Sequence, residues 1–592
     1  MNEASALKNG EAALASEQFG RAIRYFGTIE SGSPNYGHAC KCRGRALLRI
    51  RRWPEALSVL QTAHNLLPED PEILVDAADT ARLMGRLGVA EKTYEAARNR
   101  GANGFQIGFG EASICQERKL WIKAVRLWTE LNTSFPNNPY VLHNLAKAWH
   151  ELGETDTALS LMSESFELSG EMNTLSMLGV LAPHAGACSH EEILRIRTKL
   201  GGQLKLGEGN PTDNGCFGRK IGRVNIGYVS AFFHRRNWMK PVWALLNNHD
   251  REKFNIHLFA DCPTDEIVSE SGYMPREQDT IYDVRKLGNR ELAKLIGDCD
   301  IEVLIDLNGY SAIPRLGLWA AKPSPITIGW FNQYATSGMP GIEWLIGDDV
   351  VIYPEEERFY TERIIRLKQS YLTFQVAYAT PDIEATADDE PFTFGCLGSA
   401  YKITPEVRAA WIRLLGETNG TRLLVRNTLL GEECHRKWFL DFFTNNGIDS
   451  ERVMLLGPAE HQEFLRTYGR IDLALDTFPY NGGTTTMEAL WQGVPQVCFN
   501  GDRWVSRTSA TLLNSAGLND FVGNNANEYV DISKKWSEPG QRGKLRKLRT
   551  EMRGRLEKSM VCDGAGLARN FEQIVFEILS KKRSEAFEPV RK

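Results

Sequence analysis

Asp476-Thr-Phe-Pro-Tyr-Asn-Gly-Gly-Thr-Thr-Thr-Met-Glu488 follows the apolar run 471–475 and opens a helix-compatible segment. The apolar run reads as a short buried strand, 479–483 as a turn, and Thr484 onward as a helix entered through Thr484, Thr485 and Thr486. The first amides of such a helix have no acceptor within it, and its dipole is positive at that end, so the segment is suited to holding a phosphate. Gly482 and Gly483 let a ligand approach the backbone. Glu488 stands one helical turn beyond Thr484, where a carboxylate can accept hydrogen bonds from sugar hydroxyls.

Working outward, short apolar runs alternate with helical patterns. Runs 224–230, 255–260, 303–307 and 326–331 form one series, with helical stretches at 238–247 and 289–296. A second series comprises 392–396, 422–425, 453–455, 471–475 and 496–498. This rhythm predicts two parallel sheets covered by helices, 223–385 and 386–592, joined through the acidic, proline-flanked 381–391. Doubly wound halves bind ligands outside the carboxyl ends of their strands, where the 476–488 run lies.

The N-terminal part has a different period. Ala22, Ala56, Ala90, Ala124 and Ala158 are each 34 residues apart, the length of one tetratricopeptide helix pair. Twelve residues before each alanine stands a small residue: Gly10, Gly44, Ala78, Ala112 and Ala146. Four residues after stands a large apolar one: Phe26, Leu60, Tyr94, Trp128 and Met162. Pro34, Pro68 and Pro136 close repeats. The spacing predicts an α-helical solenoid over 1–170, whose groove suits an extended peptide or a partner protein. Residues 171–222 then read as a helical join, 191–204, and a Gly-, Pro- and Asn-rich linker, 207–218.

Composition narrows the class. With 70 basic against 75 acidic residues, the chain carries no overall charge that calls for nucleic acid. The 11 cysteines include no CxxC pair, which argues against both a zinc site and a disulfide framework and fits a reducing cytoplasm. No stretch of eighteen apolar residues suggests a membrane span. Asp348-Asp349 reads as a turn rather than a metal site, and the basic run 542–555 as the solvated side of a C-terminal helix packed across the domains.

The ordered set of repeats, Ile226-Gly-Tyr-Val-Ser230, Asp306-Leu-Asn-Gly-Tyr310, Pro325-Ile326 through Trp330, Thr336-Ser-Gly338, Tyr401-Lys-Ile-Thr-Pro405, Leu475 through Thr486 and Gly493-Val-Pro495 resembles the O-GlcNAc transferase family along the whole chain. That family includes nucleocytoplasmic protein glycosyltransferases, SPINDLY-type O-fucosyltransferases and bacterial homologues. The resemblance implies a GT-B fold of two Rossmann-like domains behind the tetratricopeptide solenoid. It also implies inverting, metal-independent transfer of a sugar from a sugar nucleotide to a protein hydroxyl, with no cofactor. UDP-GlcNAc with Ser or Thr as acceptor is the leading expectation. GDP-fucose as donor, asparagine as acceptor, and a catalytically silent scaffold are the alternatives.

By the same resemblance Lys402 meets the diphosphate, Thr484 and Thr485 grip the phosphates, Glu488 binds the ribose, and Ala459 with His461 line the base and ribose. Thr336, with Asn332 and Gln333 nearby, matches a loop near the transferred sugar. Two departures concern the sugar: Gly483 replaces a histidine of the animal enzymes, and Ser399 a glutamine. A third concerns the proton. Six residues after Ser230 the family places a histidine, and this chain has Arg236, with His234 two residues early and Lys240 where some relatives have a second histidine. A guanidinium does not accept a proton near neutral pH. A loop shift that brings in His234, transfer through water to a phosphate oxygen, and a different chemistry are the three ways round this.

Overall fold

The computed structural model describes residues 2–205, 222–384, 386–387 and 389–587; the linker expected at 207–218 lies outside the described residues. Contacts divide the chain into Met1–Trp149 and His150–Lys592. The first unit is a run of helices, from Glu3–Ala15 and Phe19–Phe26 to Trp121–Ser134 and Pro139–Glu151. The period expresses a packing rule. Ala22, Ala56, Ala90 and Ala124 are fully buried, and the small residue twelve positions earlier makes room for the large one four positions later. A Cβ on Gly10 would lie 2.6 Å from the Phe26 ring, and one on Gly44 would lie 2.6 Å from Leu60.

The helix Thr155–Ser169, which carries Ala158 and Met162, falls in the second unit rather than with the repeats before it. Arg408, on the helix Pro405–Glu417, holds its approach by donating to Glu154 and to the Leu152 carbonyl (3.4 Å). Gly153, at φ +85°, lies so close to the Ile403 carbonyl that a Cβ would come within 2.4 Å.

Two all-parallel sheets follow. The first comprises β1 (Val224–Ser230), β2 (Phe254–Ala260), β3 (Thr280–Asp283), β4 (Val303–Asp306), β5 (Ile326–Gly329), β6 (Trp344–Asp348) and β7 (Arg363–Leu367), in the order β3-β2-β1-β4-β5-β6-β7. The second comprises β8 (Thr393–Cys396), β9 (Arg422–Arg426), β10 (Val453–Leu456), β11 (Leu473–Leu475), β12 (Gln496–Phe499) and β13 (Val522–Gly523), in the order β10-β9-β8-β11-β12-β13. β4, β5 and β8 are buried at every residue, as expected where helices cover both faces. The strands that the apolar runs did not predict are β3, β6, β7 and β13. β3, β7 and β13 lie at or next to sheet ends, where polar residues are tolerated and the hydrophobic signal fades.

Two features correct the reading of the C-terminal part. The last helix, Gly564–Phe587, was counted with the second half and packs instead against the first. Glu572 accepts from His249 Nδ1 (2.8 Å) and Asp250 N (2.8 Å), and Lys582 pairs with Glu343. On the basic helix Pro539–Glu557 only Arg555 among the arginines is exposed, and the other four bond back to the protein. Arg549 is 3% exposed and donates to the carbonyls of Glu384, Tyr468 and Ile471. Arg546 donates to the Thr386 carbonyl (2.8 Å), Arg553 to those of Pro381 (2.7 Å) and Trp491 (2.8 Å), and Arg542 reaches Asp472. The helix therefore ties the connector between the two sheets to the second of them. Among the described residues no helix is long and apolar enough to cross a membrane.

Arg549→Ala removes a buried guanidinium that donates to three carbonyls, and a loss of about 2–4 kcal/mol in unfolding free energy by denaturant titration is expected. Lys547→Ala, at a side chain 77% exposed, is expected to change stability by less than about 0.5 kcal/mol.

Candidate active site

In each sheet the strand order reverses between the first and fourth strands, β1 and β4 in one and β8 and β11 in the other. Such a reversal splays the following loops apart and leaves a crevice at the carboxyl edge. The chain after β1 leads to Arg236 and Lys240, after β4 to Asn308, after β8 to Lys402 and after β11 to the 476–488 run. Hence residues far apart in sequence meet at the same edge.

The 476–488 run forms a braced turn. Asp476 Oδ1 accepts from Gly482 N (2.7 Å), the Asp476 carbonyl accepts from Tyr529 Oη (3.0 Å), and Asn481 Nδ2 donates to the Thr477 carbonyl (2.8 Å). Gly482 must be glycine, because a Cβ would lie 2.6 Å from Thr486 Oγ1 and 2.7 Å from Thr485 Oγ1. The helix runs Thr484–Trp491, and its first internal bond is Met487 N to the Gly483 carbonyl. The amides of Thr484, Thr485 and Thr486 therefore have no acceptor within the helix. Gly483, Thr484 and Thr485 are partly exposed, whereas Thr486 is turned inward, bonded to Ser509 Oγ (2.8 Å) and Gln496 Nε2 (2.9 Å). Its expected place among the ligand-facing hydroxyls is thus taken by a structural role.

Lys402 arrives from the other side of the reversal. Its backbone N donates to the carbonyl of exposed Ser399 (3.0 Å), Nζ donates to the Asn481 carbonyl (2.8 Å), and Nζ lies 3.6 Å from the centroid of the Tyr480 ring. Burial pushes its ammonium down to about 8, against the opposing pull of the Asp476 carboxylate. Burial in turn pushes Asp476 up, and its Oδ2 is enclosed without a hydrogen-bond partner. A cation poised beside free helix amides can meet the charge of a phosphate.

The first half supplies the facing wall. Lys240 Nζ lies 3.2 Å from Glu488 Oε1, with the two side chains 2% and 3% exposed, and also donates to the Asn237 carbonyl. Burial lowers the Lys240 ammonium and raises the Glu488 carboxyl, while each partner opposes the other's shift. Glu488, expected to meet a ribose, is therefore already ion-paired. Beside it the Arg236 guanidinium sits 5.3 Å from the centroid of the Tyr378 ring, and His461 Nε2 is 3.0 Å from Tyr378 Oη. His461 opens the helix His461–Arg466, directly after partly exposed Ala459 and exposed Glu460. Burial, with Lys240 and Arg236 nearby, pushes His461 down to about 4, so it is neutral near pH 7.

Other expected site residues go elsewhere. His234 lies by Cys262 and Glu266, beyond the carboxyl end of β2, with Nδ1 enclosed and unpartnered. Thr336 is 1% exposed, and its Oγ1 donates to Glu362 Oε2 (2.8 Å). Asn332 and Gln333 are buried too, donating to the Leu307 carbonyl (2.9 Å) and to Asp306 Oδ2 (2.8 Å). Asp348 caps a turn by accepting from Val350 N and Val351 N (2.9 Å each). Among the described residues no group of three His, Cys, Asp or Glu converges as a metal site. Tyr480 and Asp476 stand inside the quoted run and were readable as part of it, but Tyr378 in the connector and His184 after the helix Met172–Leu181 carry no local signal.

The sequence matches glycosyl transferase family 41 over residues 215–388 and 385–570, more than half of the chain. It is 29% identical over 359 residues to the tomato (Solanum lycopersicum) SPINDLY protein, described as a probable UDP-N-acetylglucosamine–peptide N-acetylglucosaminyltransferase, covering 59% of this chain and 38% of that one. The barley (Hordeum vulgare) SPINDLY is 31% identical over 360 residues, with 59% and 37% covered. The chain thus spans well under half the length of these relatives. A mutant of the Thermobaculum terrenum O-GlcNAc transferase superposes with a TM-score of 0.69 at 23% identity, covering 94% of this chain and all of that one, which is a likeness of fold. With two doubly wound sheets facing each other across Lys240 and Glu488, and the matching segments spanning both sheets, this chain belongs to glycosyl transferase family 41.

Proposed function

We propose that this protein transfers a sugar from a nucleoside diphosphate sugar, UDP-GlcNAc in the first instance, to Ser or Thr hydroxyls of protein acceptors. The observation that carries this reading is the approach of Lys402 to the turn at Asn481, just before the free amides of the helix Thr484–Trp491, at the strand reversal of the second sheet. The diphosphate lies there, with the nucleoside toward Tyr378, His461 and Ala459. The names of the plant relatives support GlcNAc as the sugar.

In this reading the acceptor oxygen attacks the anomeric carbon on the face opposite the diphosphate. The bond from that carbon to the phosphate oxygen breaks, and the nucleoside diphosphate leaves with the electron pair. Lys402 and the helix amides, rather than a divalent cation, meet the growing charge. The hydroxyl proton passes through water to a phosphate oxygen. The helical repeats of the first unit present the acceptor chain, and the work is done inside the cell.

One observation favours a second reading, a sensor that binds sugar nucleotides without turnover: Lys240 already holds Glu488. Screening UDP- and GDP-sugars for thermal stabilisation, followed by intact-mass analysis of lysate proteins with the best donor, separates the two. A mass increase of one sugar supports transfer, and binding without any such increase supports the sensor. Stabilisation by GDP-fucose alone would replace the donor.

Lys402→Ala is expected to lower kcat/KM by about 2–4 kcal/mol in transition-state terms, as loss of one charge-stabilising donor does; near-normal turnover would remove Lys402 from this role. The pH dependence of UDP affinity follows from the same side chain. Lys402, at about 8 in the free protein, loses its charge as pH rises through that value, whereas the phosphate is already fully ionised above about pH 7. Calorimetric affinity for UDP should fall as pH rises through about 8 and beyond, and Lys402→Arg, whose guanidinium stays charged, should remove the fall.

A further inference from the structure

Around Tyr480 several elements bring groups that the proposed reaction has not used up against Lys402, which it has. His184 closes the short turn Ala182–His184 of the helical join, and its ring lies 4.2 Å from that of Tyr480 at an interplanar angle of 27°. Lys402 Nζ is 3.6 Å from the same ring's centroid. His150, on the helix Pro139–Glu151, lies 6.1 Å from His184 and 5.2 Å from Tyr401. Tyr401 and Tyr334 complete the ring cluster at 6.0 Å and 5.5 Å from Tyr480.

His184 Nδ1 is enclosed and has no hydrogen-bond partner. Enclosed polar nitrogens in folded chains are nearly always paired, and an unpaired one points to a water, ion or ligand that completes it. Here the nearest designated ligand is the diphosphate expected at Lys402, because Lys402 and His184 share one aromatic ring. We propose that His184 is a diphosphate-contacting residue of the donor site, giving a ring N–H to a phosphate oxygen beside Lys402; this rests on the sugar-nucleotide reading above.

His184 stacks on Tyr480 and faces His150, Lys402 and Arg197; burial first, and then those three groups, hold its imidazole well below its usual range, so it is neutral in the free protein. A neutral imidazole still donates one N–H, and an arriving anion offsets the neighbouring positive charges. The stacking on Tyr480 fixes the ring plane, which limits the ring's own reorientation when the nucleotide enters.

The test is calorimetric titration of the full chain with UDP and, at higher concentration, with uridine. His184→Phe keeps a flat ring against Tyr480 and removes both nitrogens. About tenfold weaker UDP binding with unchanged uridine binding is the expected result, since a charge-assisted hydrogen bond is lost and the nucleoside contacts are not. His184→Asn, which restores a donor close to the ring nitrogen, is expected to recover part of the loss and serves as the second variant if the phenylalanine chain does not fold. Unchanged UDP affinity in His184→Phe, or an equal loss for UDP and uridine, overturns the proposal. If Lys402→Ala weakens UDP binding and His184→Phe does not, the donor-site reading stands and this inference falls. If the folded wild-type chain binds neither UDP nor GDP, the reading itself falls and takes the inference with it.

Discussion

The buried pair of Lys240 and Glu488 is the interaction on which the arrangement of the cleft rests. Each ion is withdrawn from water, and a lone charge in that position would be strongly unfavourable, so neither side chain is tolerated there without the other. One opens the helix Lys240–Leu246 that follows the first strand of the first sheet, the other lies on the helix after the fourth strand of the second. Their 3.2 Å approach therefore joins the two strand reversals edge to edge. Everything gathered around them follows from this: Tyr378 carries Arg236 over its ring and His461 on its hydroxyl, and the Thr484–Trp491 helix points its free amides along the same crevice.

Low polarity around this pair also sets the chemistry of its neighbours. Burial holds Lys402 nearer to deprotonation than a surface lysine and pushes Asp476 toward its neutral form, while each favours the other's charge. Electrostatic contacts are stronger in such surroundings than in water, and groups fixed by packing need not reorganise when charge develops. The aromatic rings serve the same end. Tyr480 gives Lys402 a face to rest on and His184 a face to stack against, so one ring positions two polar groups.

The legible parts of the sequence share a cause. Ala22 to Ala158 repeat every 34 residues because each repeat buries the same close contact, and the apolar runs at 224–230 and 303–307 stand out because both faces of their strands are covered. β3 and β7 were not legible, since end strands carry polar residues and lose the pattern. In the site, the turn at Gly482 and the helix start at Thr484 were readable from local chemistry. The inward turn of Thr486, the tie between Thr336 and Glu362, and the inward-facing Arg549 were not, because each depends on a neighbour distant in sequence.

By itself, then, the sequence determined the helical repeat, the two parallel sheets and the phosphate-suited turn of 476–488, all of which arise from periodicity, burial and turn chemistry over short spans. Only the tertiary structure decided what meets what across the crevice. Lys240 claims Glu488, Thr336 is tied to Glu362, and His184 comes down on Tyr480. These pairings depend on how separate elements pack, and a side chain's partner, charge state and access to a ligand are set by packing that no local stretch of sequence encodes.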